Sequence, residues 1–390
     1  MAVCRVCGKI DCEEHSFKFE KTKNITQFSG SSPPEIFVGK YNYPNVYVGI
    51  LSPKRYGNTE IHSSQELWHK HKLPMEDIKH LRSQLIYGRT KSNIKKVLEQ
   101  NRFISTMQEI AMTSSSISAE FKLLKNIEQN QEKESHVPII SNAAFVKSVR
   151  LQENPRIKPK IDHLVNDTDI NSATALQELE KNNIPTNTII KILSAGLLGK
   201  ANTRKLVPTR WAITAVDDTL SKQKLQKVRS YSQIGEILLF TSEYLGNHYE
   251  FLLLPDIFSF EVIEINSSNL GCWQDYESNL GRKSYASNVT GAYYANRLAL
   301  LEYLEKQQKQ ASCIVFREIG KEYTQSMGVG VLREISRAAF LNKPEKFSSI
   351  NEALERIQTR IKLQIVDFTE KSILLKDYGK QKKLDTWFGK

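Results

Sequence analysis

Three cysteines and a histidine near the start of the chain have the spacing of a metal site. Cys4-x2-Cys7-x4-Cys12-x2-His15 offers four donors within twelve positions. Two residues between cysteines let both sulfurs face one point, and Gly8 after Cys7 permits the tight turn. Three thiolates and an imidazole fit tetrahedral zinc. With all four positions filled by protein, the ion would be structural and would leave no open site for water. A segment this short cannot form a core, so the metal would supply its order. A disulfide framework would leave an odd thiol and is the poorer alternative. Cys272 and Cys313 stand alone and are expected to be buried apolar thiols.

A second polar constellation contains Lys205, Thr209, Arg210, Trp211, Asp217 and Asp218. With a strand expected over 211–215, Thr209 and Arg210 would precede it and the paired aspartates would follow it. Strand ends are where α/β proteins present polar groups to ligands. Arg210 could hold a phosphate bidentately. Asp217 or Asp218 could bind a catalytic divalent metal or act as a general base. The plainer alternative is that one aspartate caps a helix over 219–228 and Arg210 forms an ion pair.

Ser29-Gly30-Ser31-Ser32 could supply hydroxyls and backbone N–H groups to a phosphate. It lacks the P-loop order GxxxxGK followed by Ser or Thr, and a flexible linker is the competing reading. No GxSxG elbow, HExxH pair or complete GxGxxG is present. At the other end of the chain, Gln381, Leu384, Trp387 and Phe388 follow a basic run. A short 3₁₀ turn would bring Leu384 and Trp387 to one side, with Phe388 beside them. Exposed aromatics of this kind are strong anchors for a partner pocket. The pattern is similar to the PIP-type peptide with which many proteins bind the replication sliding clamp, PCNA. The alternative is that both rings pack back onto their own domain.

The elements expected to position these groups alternate irregularly. Strands are expected over 46–51, 143–151, 237–241, 249–254, 260–265 and 312–317, where β-branched and aromatic residues lie between turn residues. Helices are expected over 75–86, 91–98, 103–125, 171–181, 187–193, 291–306, 333–341 and 350–362. Residues 28–34 and 152–169 read as loops. The fold class expected is α+β: a mixed β-sheet with surrounding helices, a small N-terminal zinc segment and a flexible C-terminal tail. The composition agrees with a packed protein, since 40 % of the 390 residues are hydrophobic. Fifty-five basic and 43 acidic side chains leave a formal charge of +12. A basic balance points to DNA, a nucleotide or an acidic protein surface, with a solvated surface as the bland alternative. No apolar run approaches the ~18 residues of a membrane helix, and no signal peptide is evident. The expectation is a cytoplasmic protein with no membrane partner.

Several segments together resemble one family, the archaeal Nre DNA repair proteins. They include Phe28-Ser-Gly-Ser-Ser-Pro-Pro34, Tyr43-Pro44-x-Val46, Leu206-Val-Pro-Thr-Arg-Trp211 with Ile213-Thr-Ala-Val-Asp-Asp218, and Gly291-Ala-Tyr-Tyr-Ala-x-Arg297. The resemblance covers nearly the whole chain, and the zinc pattern and clamp-binding tail suit it. It implies a zinc-binding segment over 1–15, a large domain over 16–272, a smaller one over 273–375 and a tail over 376–390. It also implies a DNA repair factor tethered to the clamp. The alternative is a hydrolase acting on a nucleotide-like substrate, such as an ADP-ribose derivative, or on nucleic acid, delivered to DNA by the same tail.

Overall fold

The computed structural model describes residues 25–99, 101–125 and 142–378. They gather into two compact units. One runs to Leu220 and includes Gln325–Gly330; the other comprises Ser221–Thr324 and the chain from Val331. Strands and helices mix in both, as expected for the α+β class.

The first unit is built on β1 (Gln27–Ser32), β2 (Glu35–Val38), β3 (Asn45–Ser52), β4 (Ile86–Asn93), β5 (Ile117–Leu123) and β6 (Asn142–Leu151). Their order is β1-β5-β6-β4-β3-β2, antiparallel except for the parallel pair β4 and β6. The helices are α1 (Gln65–Lys70), α2 (Met75–Ser83), α3 (Arg102–Met112), α4 (Pro159–Asn166), α5 (Ser172–Lys181), α6 (Thr186–Ser194) and the part of α7 (Thr209–Val228) that runs to Leu220. Helix α3 starts where the Asn101 side chain accepts the N–H groups of Phe103 and Ile104. It buries Ile104, Met107, Ile110 and Ala111, the three-and-four spacing of one helix face, and packs on β2, β3 and β6.

The second unit holds β7 (Ser232–Gln233), β8 (Ile237–Tyr244), β9 (Asn247–Leu254), β10 (Phe260–Asn266), β11 (Cys272–Glu277), β12 (Lys309–Gln310), β13 (Ser312–Ile319) and β14 (Glu345–Phe347). Six of them form a sheet in the order β11-β10-β13-β9-β8-β14, while β7 and β12 pair by themselves. Helices α8 (Gly291–Gln307), α9 (Val329–Leu341), α10 (Ile350–Gln358), α11 (Ile365–Thr369) and α12 (Ile373–Asp377) accompany this sheet. Leu252, Ile263, Ile314 and Phe316 of the sheet share a core with Ala353, Ile357 and Phe368. Every residue from Gly291 to Leu301 is buried, so this stretch of α8 is enclosed on all sides. Arg297 from that helix meets Glu277 of β11 at 2.5 Å, with both side chains almost wholly out of water.

Several local expectations are corrected. Residues 211–215 are not a strand but part of α7. The first turn forms on the Pro208 carbonyl, which accepts from Trp211 and Ala212. Buried Ala212, Val216 and Leu220 then recur at the four-residue spacing of a helix face. The expected helix over 91–98 is the end of β4 followed by a 3₁₀ turn, Ile94–Leu98. The expected helix over 103–125 stops at Met112, and strict alternation of burial makes Ile117–Leu123 a strand. The loop expected over 152–169 contains α4, with Pro159 at a first-turn position where its missing N–H costs nothing. Cys313 is buried, whereas Cys272 is exposed. No described helix is long and apolar enough to cross a membrane.

Candidate functional site

The segment Ser29-Gly30-Ser31-Ser32 is strand β1, not a linker. It pairs antiparallel with β5, so that Ser29 faces Glu120 and Ser31 faces Ser118. Phe28 anchors this strand by stacking on Phe121, with ring centroids 4.5 Å apart. Gly30 is required by packing, because a Cβ there would lie 1.9 Å from the Pro53 carbonyl oxygen. The Ser31 N–H donates to the Arg55 carbonyl at 2.8 Å, and the Ser32 hydroxyl donates to the Leu51 carbonyl at 2.7 Å.

Ser31 lines a polar cavity of about 400 Å³. The other walls come from Gly57, Asn58 and Glu60, from Thr113 and the stretch Ser115 to Ser118, and from Glu153, Asn154 and Arg156. The Oγ atoms of Ser31 and Ser118 are 3.1 Å apart, and the Gly57 N–H donates to Ser31 Oγ at 3.1 Å. Thr59 ties two walls together: its hydroxyl donates to the Ser31 carbonyl at 2.7 Å, and its N–H donates to Ser116 Oγ at 2.9 Å. At the rim, the Ser118 N–H donates to Glu153 at 2.7 Å. That bond, with the Ser118 hydroxyl and Arg156, holds the Glu153 carboxyl below its ordinary range. The imidazole of buried His62 lies between the Thr59 carbonyl and the Gln84 amide. Burial drives its pKa down to about 4, so it is neutral near pH 7.

Hydroxyls, a guanidinium and two carboxylates around one cavity suit a small, heavily hydroxylated or phosphorylated ligand. Ser115, Ser116, Ser118 and Glu153 were not singled out as ligand groups in the sequence. Their signal is the triple serine Ser114–Ser116 that follows α3, with residues of alternating polarity after it.

Thr209, Arg210, Asp217 and Asp218 all lie on α7. Thr209 Oγ1 accepts the Val38 N–H at 2.9 Å and lies 3.0 Å from Ser194 Oγ, which ties the helix start to β2 and α6. Arg210 is exposed and Asp217 fully buried, two helical turns or about 10 Å further along the axis. These groups therefore do not flank a strand, and neither aspartate caps a helix. None of the four lines the cavity beside Ser31. Among the described residues no group of three His, Cys, Asp or Glu side chains is placed to hold a metal ion. Cys4, Cys7, Cys12 and His15, and likewise Gln381, Leu384, Trp387 and Phe388, lie outside the described residues.

Residues 3–273 match the family model described as Archaeal Nre, N-terminal, and residues 277–387 match Archaeal Nre, C-terminal. The boundary between these matches falls in β11, whereas the compact units part after Leu220. A protein of Archaeoglobus fulgidus named DNA repair protein NreA is 33 % identical over 367 residues, covering 91 % of each chain. DNA repair protein NreB of the same organism is 32 % identical, covering 91 % of this chain and 90 % of its own. DNA repair protein NreA of Haloferax volcanii is 29 % identical, covering 92 % of this chain and 88 % of its own. No solved structure matches the chain. Matched in order by both models and along nine tenths of its length by these proteins, the chain belongs to the archaeal Nre family.

Proposed function

We propose that this chain is a DNA repair factor tethered to the replication sliding clamp, PCNA. The observation that carries the repair reading is its likeness, along nine tenths of its length, to archaeal proteins named for DNA repair. The tether rests on Gln381, Leu384, Trp387 and Phe388, whose spacing is that of a clamp-binding peptide. Affinity would come from burying the three apolar side chains, while the surrounding lysines would speed encounter with an acidic partner. A structural zinc ion on Cys4, Cys7, Cys12 and His15 belongs to the same reading, because three thiolates and an imidazole are a donor set that zinc favours.

Calorimetry with the clamp tests the tether. Trp387→Ala with Phe388→Ala should weaken binding about thirtyfold or more. Equal affinity for parent and variant would remove the tether. Metal analysis of the native protein should find zinc that Cys7→Ser releases, and native protein without zinc would remove the metal site.

The cavity beside Ser31 supports a second reading, a hydrolase acting on a nucleotide-like substrate such as an ADP-ribose derivative. Its hydroxyls and Arg156 suit phosphates, and its carboxylates suit ribose hydroxyls. Asp217 and Asp218 enter this reading only if Asp217→Asn or Asp218→Asn abolishes turnover in a folded protein.

A further inference from the structure

Three large aromatic side chains stand in water on one part of the first unit. Tyr41 and Tyr43, in the loop between β2 and β3, are 73 % and 44 % exposed, and Trp211, in the first turn of α7, is 46 % exposed. The rings of Tyr43 and Trp211 are 5.2 Å apart with their planes inclined by 53°. Their meeting is enforced by the backbone. The Ile94 N–H donates to the Pro44 carbonyl at 3.0 Å, and the Leu206 N–H donates to the Ile94 carbonyl at 2.9 Å. With the bond from Val38 to Thr209, these lace residues 39–44, 94–99 and 205–211 into one surface.

The charge of that surface is one-sided. Its three segments carry five cations and a single carboxylate, Glu99. Lys95, Lys96, Lys205 and Arg210 are exposed, and Lys40 Nζ lies 5.2 Å from the centre of the Tyr41 ring. Glu99 lies 3.9 Å from Lys96 and so offsets only part of the excess. Exposed apolar area that persists beside a cationic fringe marks a contact surface. An acidic peptide would use the cations but has no need of flat rings. A duplex would use the cations but keeps its bases stacked inside. A single strand uses both, since every unpaired base has a face to stack and every phosphate a charge to neutralise.

We infer that this surface binds single-stranded DNA, with bases stacked on Tyr43 and Trp211 and phosphates on Lys95, Lys96, Lys205 and Arg210. The choice of DNA as ligand rests on the repair reading; the surface itself is argued from its own residues. It gives Arg210 and Trp211, both exposed at the start of α7, a common role.

The test is fluorescence anisotropy of the full chain with a labelled oligothymidylate, a duplex of equal length and polyglutamate as competitor. The single strand should bind more tightly than the duplex, and polyglutamate should compete weakly. Tyr43→Ala with Trp211→Ala should weaken single-strand binding about thirtyfold. Trp211→Phe, which keeps a ring, should stay within a few-fold of the parent. Lys95→Ala with Lys96→Ala should lower the magnitude of the slope of log affinity against log salt by about 1.4, at about 0.7 for each lost phosphate contact. The inference is overturned if the folded aromatic double variant binds like the parent, if duplex binds as tightly as single strand, or if polyglutamate competes equally. A parent that binds no single strand overturns it as well. Clamp binding by the same samples is a separate readout, so failure of the tether and failure of this surface are distinguishable.

Discussion

The hydroxyl oxygens of Ser31 and Ser118 lie 3.1 Å apart, although 87 residues separate them in the chain. The register of β1 on β5 makes them neighbours, and it brings the serines after α3 into the wall of a polar cavity. Arg156→Ala should therefore weaken binding of ADP-ribose about tenfold or more, the scale of one lost charge-assisted hydrogen bond. Arg156→Lys should recover only part of it, because the planar fork is lost. Titration calorimetry decides; equal affinity in all three proteins would place the ligand elsewhere.

Gly30→Ala should destabilise the first unit by about 1–3 kcal/mol or more. The added Cβ would overlap the Pro53 carbonyl oxygen and crowd the Arg55 backbone at 3.0 Å, and neither is a side chain that can swing aside. Chemical denaturation should show a lower midpoint. An unchanged midpoint would mean that the turn after β3 yields freely.

The first unit should lose stability as pH falls from about 6.5 to about 4. In that window an unfolded His62 takes up a proton. The folded one, held by burial to a pKa of about 4, does not. The unfolded state then binds more protons, and the loss sums to on the order of 3 kcal/mol across the window. His62→Gln should flatten that part of the profile of melting temperature against pH. An equal slope in parent and variant would show that other groups carry it.

Arg297→Met should destabilise the second unit by about 3–5 kcal/mol, because it leaves the Glu277 carboxylate buried without its guanidinium. Adding Glu277→Gln should restore part of the loss, since the stranded charge is then gone. Urea denaturation of the three proteins provides the comparison. A double variant no better than the single one would show that the cost is packing, not charge.

What the residues determined by themselves was local. Residues 237–241, 249–254, 260–265 and 312–317 form strands because β-branched and aromatic side chains suit a buried pleated surface and turn residues bound each run. The helix at 291–306 was legible for the same kind of reason, as was family membership from motifs spread along the chain. At 211–215 two periods competed. Trp211 and Ile213 suit a strand by residue type, but the register of Ala212, Val216 and Leu220 places three side chains in the core of a helix face, and burial outweighs local β preference.

Tertiary structure alone decided which polar residues share a site. Ser31, Ser115–Ser118, Glu153 and Arg156 meet only because β1, β5 and β6 are neighbours, with loops folded over their ends. Tyr43 meets Trp211 because backbone bonds through Ile94 join segments far apart in the chain. A residue's local preference depends on neighbours a few positions away, whereas sheet order and strand register depend on how all the apolar faces are buried at once.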